Sequence, residues 1–125
     1  ALPIYDMAAV LALARRENPH LHRLLLAGFS FGTYVQAQLR ERLAEEEVHG
    51  MILVGPAVSR HDFPTVPADT LVIHGEEDEV IPLAAVMDWA RPQILPVTVI
   101  PQVGHFFHGQ LPLLKSLVVR HLKSL

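Results

Sequence analysis

The stretch LLLAGFSFGTYVQAQL, residues 24–39, places one serine between two glycines, where one apolar pattern ends and another begins. Before Ser30 the residues are almost continuously apolar, as in a parallel strand that is buried on both faces of its sheet. After it, apolar residues recur every four positions, at Phe31, Val35, Leu39 and Leu43. Because this spacing marks one side of a helix, the stretch predicts a strand, a sharp turn that carries Ser30, and an amphipathic helix.

The rest of the chain repeats this alternation of strands and helices. We expect four strands, at residues 23–28, 49–55, 70–74 and 96–101, and helices from the cap residue Asp6 to Asn18, after Ser30, at 83–91 and at 113–122. A proline-rich connection, residues 56–69, separates the second and third strands. Strands that alternate with helices predict a parallel sheet with right-handed crossovers. Because no repeat or linker interrupts the pattern, residues 1–125 are interpreted as one α/β domain.

The composition excludes several classes of partner. The 125 residues are 50% hydrophobic and 18% charged, which is typical of a globular domain and not of a disordered chain. A net charge of −3, with no Lys/Arg run longer than a pair, argues against nucleic acid and against an anionic membrane. No apolar run approaches the roughly 18 residues that span a bilayer, and there is no cysteine for a disulfide or a thiolate-zinc site. We therefore expect a soluble, cytoplasmic protein.

The turn itself has the pattern G-x-S-x-G, from Gly28 to Gly32. Between a strand and a helix, such a turn strains the backbone of its central residue, and we expect both glycines to be needed because a side chain would not fit on either flank. The Ser30 hydroxyl would then stand at the carboxyl edge of the sheet, beside the Phe31 N–H, which could donate to an oxyanion. The alternative is that Ser30 only caps the helix, because serine is a preferred capping residue.

A nucleophilic serine needs a base, and the base needs an acid that orients it. Two candidates follow predicted strands: Asp78 in the segment HGEEDEVIP and His105 in the segment QVGHFFHG. The carboxyl ends of parallel strands meet at one edge of a sheet, so Ser30, Asp78 and His105 are expected to meet there. Their order along the chain, serine then acid then histidine, is the order of the nucleophile-elbow hydrolases.

Asp78 has a simpler interpretation, and a second acid is also a candidate. Asp78 lies among Glu76, Glu77 and Glu79, so it could be a turn residue of a solvated loop. Asp62, in the connection after the second strand, is a second possible acid, which we rank below Asp78.

The histidines also have alternatives. His105 could be a packed loop histidine, or His105 and His108 could be metal ligands, although no third ligand stands at a motif spacing. His74, at the end of a strand, is interpreted as structural.

Taken together, these motifs resemble the α/β-hydrolase superfamily. GFSFG resembles its nucleophile elbow, HGEEDEVIP its acid loop, and VGHFFHG its histidine loop; GFSFGTY, LVGPAVSRHDFP and GHFFHG together resemble small bacterial single-domain hydrolases related to dienelactone hydrolases. The resemblance runs from about Asp6 to the C-terminus. It implies Ser30 as nucleophile, His105 as base and Asp78 as orienting acid, in a carboxylesterase-like enzyme that forms an acyl-enzyme.

The sequence also departs from the superfamily pattern. Members have several strands before the elbow, and a loop there donates a second oxyanion N–H; this chain starts about thirty residues before Ser30, so we expect an N-terminally incomplete fold. The strand at 24–27, interior in the family, would then be an apolar edge, through which we expect self-association. Thr33 stands where a small alanine or glycine is frequent in related proteins.

The expected substrate is a small acyl compound: an ester, a thioester or a lactone. The connection at 56–69 is too short for a lid of several helices, so the site is expected to be open. Phe29, Phe31, Phe106 and Phe107 are candidates for its apolar walls, although for Phe31 we favour a place in the core. No cofactor or metal is implied, because the sequence has no phosphate-binding glycine loop and no metal-ligand cluster. The rival hypothesis is a non-catalytic remnant of the fold that acts as an interaction module.

Overall fold

The computed structural model describes residues 2–125. Its helices are α1 (Leu2–Glu17), α2 (Phe31–Glu41), α3 (Leu83–Ala90) and α4 (Leu111–Ser124). Its strands are β1 (Leu25–Phe29), β2 (Gly50–Val54), β3 (Leu71–Gly75) and β4 (Thr98–Ile100). All four strands and all four helices expected from the sequence are present, with ends that differ by a few residues.

The four strands form one parallel sheet in the order β1-β2-β3-β4. Val54, the last residue of β2, lies opposite Phe29 of β1 on one side and opposite Ile73 of β3 on the other. Because the register brings the carboxyl ends of β1 and β2 level, the loops that follow the strands start at one edge of the sheet. The predicted α/β class, a parallel sheet of four strands with flanking helices, is confirmed.

Helices cover both faces of the sheet. On one face, Leu26, Met51 and Leu53 pack with Leu39 of α2 and with residues of α1, and Val72 packs with Val86 of α3. On the other face, β2, β3 and β4 contribute a cluster on which α4 packs through its partly buried apolar side, with the members Ile52, Val54, Ile73, Ile100, Leu114, Leu117 and Val118. The strands are therefore buried on two sides, which is why they read as continuous apolar runs.

Strand β1 lies at one edge of the described sheet, as expected. Its side chains on the α4 side of the sheet are open to solvent: Leu25 is 40% exposed and Phe29 is 42% exposed, and Ala27 between them is also exposed. Leu26, which points to the α2 side, is 5% exposed. One face of β1 and its free edge are therefore uncovered within residues 2–125.

The start of α1 differs from the prediction. The helix begins at Leu2, so Asp6 is an exposed residue inside it and not its cap. Pro3 falls in the first turn, where the missing N–H of proline is not needed for a helical hydrogen bond. The predicted end is right, because the helix stops at Glu17, just before Asn18 and Pro19.

Helix α2 is buried on more than the predicted side. Val35 and Leu39 are buried as expected, but so are Thr33 and Ala37, which lie on a different side of the helix. Phe31, predicted to belong to the buried side, is 46% exposed. The pattern arises because α2 packs on β1 and also on α1, so one apolar stripe does not describe its surroundings. None of the helices within residues 2–125 has the length and apolar character needed to cross a bilayer.

Candidate active site

Ser30 occupies the single-residue turn between β1 and α2. Its backbone has φ 55° and ψ −121°, a positive φ that is unusual for a residue other than glycine. Such a conformation costs on the order of 1–3 kcal/mol and persists only where the surroundings hold it. Here the Ser30 N–H donates to the Val54 carbonyl of the neighbouring strand, at 2.9 Å. The turn is therefore the strained elbow that the sequence predicts.

The two glycines of the elbow have different roles. A Cβ added to Gly28 would lie 2.6 Å from the backbone C and O of Gly32 and 2.8 Å from the Thr33 nitrogen, distances that real Cβ atoms do not adopt. A Cβ added to Gly32 would have nothing within 4 Å. The expectation that both glycines are needed is right for Gly28 and wrong for Gly32. The reason is that the end of β1 packs directly on the first turn of α2. Gly32 contributes its backbone atoms to this contact, whereas a Cβ on Gly32 would point away from it.

The Ser30 hydroxyl does not cap the helix. Ser30 is the residue before the first helical residue of α2, but its side chain makes no capping hydrogen bond. Instead its Oγ lies 2.9 Å from Nε2 of His105, 75 residues away along the chain. The capping alternative is therefore wrong, and the serine side chain faces a histidine.

His105 in turn contacts Asp78. Its Nδ1 lies 2.7 Å from Oδ2 of the carboxylate, and the two residues are 3% and 6% exposed. Because a carboxylate accepts, Nδ1 carries the hydrogen of this bond, which leaves Nε2 free to accept from Ser30 when the imidazole is neutral. Ser30, His105 and Asp78 thus form one continuous hydrogen-bonded chain.

The carboxylate of Asp78 is held on both oxygens. Its Oδ1 accepts from the backbone N–H groups of Val80 and Ile81, at 2.8 and 2.7 Å, and its Oδ2 accepts from His105. Asp78 is therefore a buried, oriented acid and not a turn residue of a solvated loop. Asp62, the second candidate, is exposed in the connection after β2.

The loop after β3 and the loop after β4 are joined by their backbones. The N–H groups of Glu76 and Glu77 donate to the carbonyls of Ile100 and Val103, both at 2.9 Å. Gly75 makes this approach possible, because a Cβ there would lie 2.3 Å from the Val103 carbonyl oxygen. The contact brings Asp78 and His105 together although 27 residues separate them.

Thr33 links the elbow to the loop after β2. Its hydroxyl donates to the Ser30 carbonyl and accepts from the Ala57 N–H, the latter at 3.0 Å, and the residue is completely buried. The departure from the small residue frequent in related proteins therefore adds two hydrogen bonds. The sequence alone gave no reason to expect them, because Ala57 lies 24 residues further on.

Two of the predicted wall residues flank the histidine. The ring centroids of Phe29 and Phe106 lie 5.1 and 4.9 Å from that of His105, and the side chains are 42% and 56% exposed. Together they form an accessible apolar surface beside the imidazole ring of His105. Their role in substrate binding stays a prediction.

The other two phenylalanines correct the sequence analysis. Phe31 is 46% exposed, so the preference for a place in the core is wrong; it lies next to Tyr34 and His61, at centroid distances of 6.0 and 5.3 Å. Phe107 is 1% exposed and belongs to the core cluster with Ile73, so it is not a wall. Its backbone has a positive φ of 56°, in the left-handed region that is unusual for a residue other than glycine.

Sequence reasoning missed an aromatic group beside the elbow. His61 stacks on Tyr34 with a centroid distance of 4.3 Å and an interplanar angle of 21°, and Tyr34 also approaches Phe63 at 6.2 Å. His61 and Phe63 come from the connection at 56–69, which has no periodic pattern that could reveal their direction. The connection thus supplies one side of the surroundings of Phe31.

The metal alternative gains no support from the described residues. Across residues 2–125 no group of three His, Cys, Asp or Glu side chains is arranged to hold a metal ion. His105 is engaged by Asp78 and Ser30, while His108 is exposed. A cavity of about 610 Å³ lies at the amino ends of β1 and β2, away from Ser30. Residues of α1 and residues from 18–24 and 46–49 line it.

Comparison with known proteins gives structural neighbours only. No protein-family model matches the chain, and no curated protein matches it significantly. Among solved structures, a serine hydrolase homologue from Coxiella burnetii matches 95% of this chain with 32% identity and a TM-score of 0.82. An α/β serine hydrolase without a lid from Xanthomonas campestris matches 95% with 33% identity and the same TM-score. A protein of unknown function from Agrobacterium tumefaciens, described as a candidate α/β hydrolase, matches 96% with 26% identity and a TM-score of 0.86.

The fold and the elbow, with its serine at the carboxyl edge of a parallel sheet, define an α/β protein of the nucleophile-elbow class. The neighbours just described share this architecture, so the chain has the fold of α/β hydrolases. The chain spans 58%, 58% and 55% of the Agrobacterium, Coxiella and Xanthomonas structures.

Proposed function

We propose that the protein is a serine hydrolase that cleaves small carboxylic esters, thioesters or lactones through an acyl-enzyme. The observation that carries the proposal is the chain of two hydrogen bonds from Ser30 through His105 to Asp78, with distances of 2.9 and 2.7 Å. An activated serine needs a base within hydrogen-bond reach and a third group that orients the base. Asp78 and His105 are buried and Ser30 is half-buried, so the surrounding protein restricts the orientation of all three side chains.

In the proposed reaction, Oγ of Ser30 attacks the substrate carbonyl carbon while Nε2 of His105 accepts the hydroxyl proton. The tetrahedral intermediate collapses when His105 returns this proton to the leaving alkoxide or thiolate, and the acyl group stays on Ser30. A water molecule, deprotonated by His105, then attacks the acyl-enzyme; the bond between Oγ and the acyl carbon breaks, His105 returns the proton to Oγ of Ser30, and the acid leaves. Asp78 remains ionised throughout; it fixes the hydrogen on Nδ1 and stabilises the imidazolium.

The charge that develops on the carbonyl oxygen needs donors. Phe31 is the first residue of α2, and the N–H groups in the first turn of a helix have no acceptor within that helix. The Phe31 N–H is therefore the proposed oxyanion donor, assisted by the helix dipole. A single donor of this type is worth about 3 kcal/mol of the barrier.

The surroundings of Ser30 favour a small, apolar acyl substrate. Phe29 and Phe106 offer exposed aromatic surface on the histidine side. Within the described chain, neither helix nor strand lies between β2 and β3, where a lid would be inserted. The similar Xanthomonas protein is described as lacking a lid. These features support a site that opens directly to solvent.

The test is covalent labelling of the purified chain with a fluorophosphonate probe, followed by intact-mass measurement. We expect one adduct on the unmodified chain and none on Ser30→Ala. Ser59→Ala, which changes an exposed serine in the connection after β2, is the matched control and should label like the unmodified chain. Equal labelling of Ser30→Ala, or a folded unmodified chain that does not label, would contradict the proposal.

A further inference from the structure

His74 is a second buried imidazole beside Asp78, and the proposed reaction does not use it. It lies in β3 just before Gly75 and is completely buried. Its Nε2 lies 2.8 Å from the carbonyl oxygen of Ile81. Because a carbonyl only accepts, Nε2 must carry the hydrogen of this bond. Buried Nδ1 has no hydrogen-bond partner among the described residues, so the orientation of the ring is determined at Nε2.

The same Nε2 also faces the carboxylate of Asp78. Its distance to Oδ2 is 3.5 Å, which is longer than a good hydrogen bond but short for an electrostatic contact between two buried groups. Oδ2 is the oxygen that accepts from His105. One carboxylate oxygen therefore has an N–H group on two sides: Nδ1 of His105 at bonding distance and Nε2 of His74 just beyond it.

Ile81 connects His74 to the other oxygen of the carboxylate. Its N–H donates to Oδ1 of Asp78 at 2.7 Å, while its carbonyl accepts from His74. Ile81 is itself completely buried, in the cluster with Val72 and Val86. The imidazole of His74 thus hydrogen-bonds to Ile81, the residue whose N–H orients the carboxylate of Asp78.

We propose that His74 is a positioning residue for the acid: through the Ile81 carbonyl and its N–H beside Oδ2, it holds Asp78 in the orientation that binds Nδ1 of His105. The inference rests on the proposed function for its kinetic consequence, because an oriented acid matters to a reaction only if His105 acts as a base. Its structural consequence, the strength of the contact between Asp78 and His105, does not depend on that reaction.

Two substitutions separate positioning from packing. His74→Gln carries an amide N–H that can reach the place of Nε2, whereas His74→Leu fills a similar volume without a donor. Val72→Ala, two residues earlier on the same face of β3 and in the cluster of Ile81, is the control for a general loss of core packing.

The first measurement is independent of activity. In protein labelled with ¹⁵N at histidine, the nitrogen shifts should identify a hydrogen on Nε2 of His74, and the Nδ1 proton of His105 should resonate far downfield of the amides. We expect this proton signal to persist in His74→Gln and Val72→Ala and to be lost or to move upfield in His74→Leu. A hydrogen on Nδ1 of His74 with none on Nε2, which can be read even if His74→Leu does not fold, would overturn the proposal.

The second measurement is kinetic: the rate constant of fluorophosphonate labelling, with kcat and KM for a p-nitrophenyl ester. We expect His74→Leu to lower the labelling rate and kcat by about 10- to 100-fold, by analogy with the loss found when a hydrogen-bond partner that orients a metal-binding side chain is removed, with KM changed less than about twofold. His74→Gln should recover most of the rate, and Val72→Ala should melt at a lower temperature but label at the normal rate. Proportional losses of rate in His74→Leu and Val72→Ala, or no recovery in folded His74→Gln, would overturn the inference. Failure of the unmodified chain to react, with the proton signals as expected, would refute the proposed function alone.

Discussion

Nδ1 of His105 lies 2.7 Å from Oδ2 of Asp78, while Oδ1 of the same carboxylate accepts two backbone N–H groups. The two oxygens are therefore not equivalent. Oδ1 is held by the backbone of its own loop, and Oδ2 is held by the histidine. The loop backbone therefore orients the carboxylate independently of His105. This asymmetry makes the effect of an amide substitution predictable.

Asp78→Asn should reduce ester hydrolysis by about 10⁴-fold, the loss seen when an amide replaces the acid of a serine protease triad. The N–H groups of Val80 and Ile81 require the amide oxygen at the place of Oδ1, so the NH₂ group would face His105. His105 could then present only a lone pair at Nδ1 and would carry its hydrogen on Nε2, where it could not accept from Ser30. Steady-state kinetics with a p-nitrophenyl ester measures the loss.

The matched control is Asp62→Asn, which changes the exposed acid in the connection after β2. Its activity should stay within about twofold of the unmodified chain, as for most exposed sites. A harmless Asp78→Asn together with a strongly impaired Asp62→Asn would show that the wrong acid has been assigned.

Gly28→Ala should prevent the elbow from forming, whereas Gly32→Ala should be tolerated. The added methyl at position 28 would lie 2.6 Å from the Gly32 backbone, and backbone cannot move aside without opening the turn. We expect a loss of roughly 3 kcal/mol or more in the free energy of unfolding. At position 32 the methyl meets nothing within 4 Å, and alanine favours the helix by up to about 1 kcal/mol. Urea unfolding of both variants distinguishes the sites, and equal destabilisation would contradict the packing described.

Thr33→Val should destabilise the elbow by about 1–3 kcal/mol, because the buried Ala57 N–H would lose its acceptor while the side-chain shape is kept. Thr33→Ser retains the hydroxyl and should lose less. Thermal unfolding measures the stability, and the fluorophosphonate labelling rate reports whether the Ser30 turn is still held. A Thr33→Val variant as stable as the unmodified chain would mean that the two hydrogen bonds contribute little.

We also propose that copies of this chain associate through the free edge of β1. Within residues 2–125 no strand pairs with the outer side of β1, and Leu25 and Phe29 are exposed on one of its faces. A lysine at an edge strand opposes such pairing, so Ala27→Lys should shift the light-scattering mass toward the monomer. Ala68→Lys, at an exposed position of the connection after β2, should not. A sharp monomer peak for the unmodified chain would contradict the proposal.

The sequence predicted the order and type of the elements well because their signals are local. Continuous apolar runs marked β2 and β3, whose residues are almost all buried, and the break at Asn18 and Pro19 marked the end of α1. The pattern G-x-S-x-G between a strand and a helix likewise predicted the strained turn at Ser30, since a turn of one residue leaves the backbone few conformations.

Other features depended on contacts between distant segments. The buried side of α2 could not be read from one periodic stripe, because the packing of α1 adds a second side. The positions of Phe31 and Phe107 also depended on tertiary packing. Phe31, the first residue of α2, lies at the surface beside Tyr34, whereas Phe107, in the loop after β4, lies in the core. A sequence pattern carries no information about such directions when the backbone leaves its regular period.

By itself, the sequence determined that this chain forms a parallel α/β sheet and that Ser30, Asp78 and His105 follow the ends of strands at one edge. Only the tertiary structure decided that the loops carrying Asp78 and His105 meet at Gly75, and that Thr33 hydrogen-bonds to Ala57. It also placed His74 next to Asp78. The physical reason is that propensity and periodicity act within one element. Distances between side chains on different loops depend on the register and packing of the whole sheet.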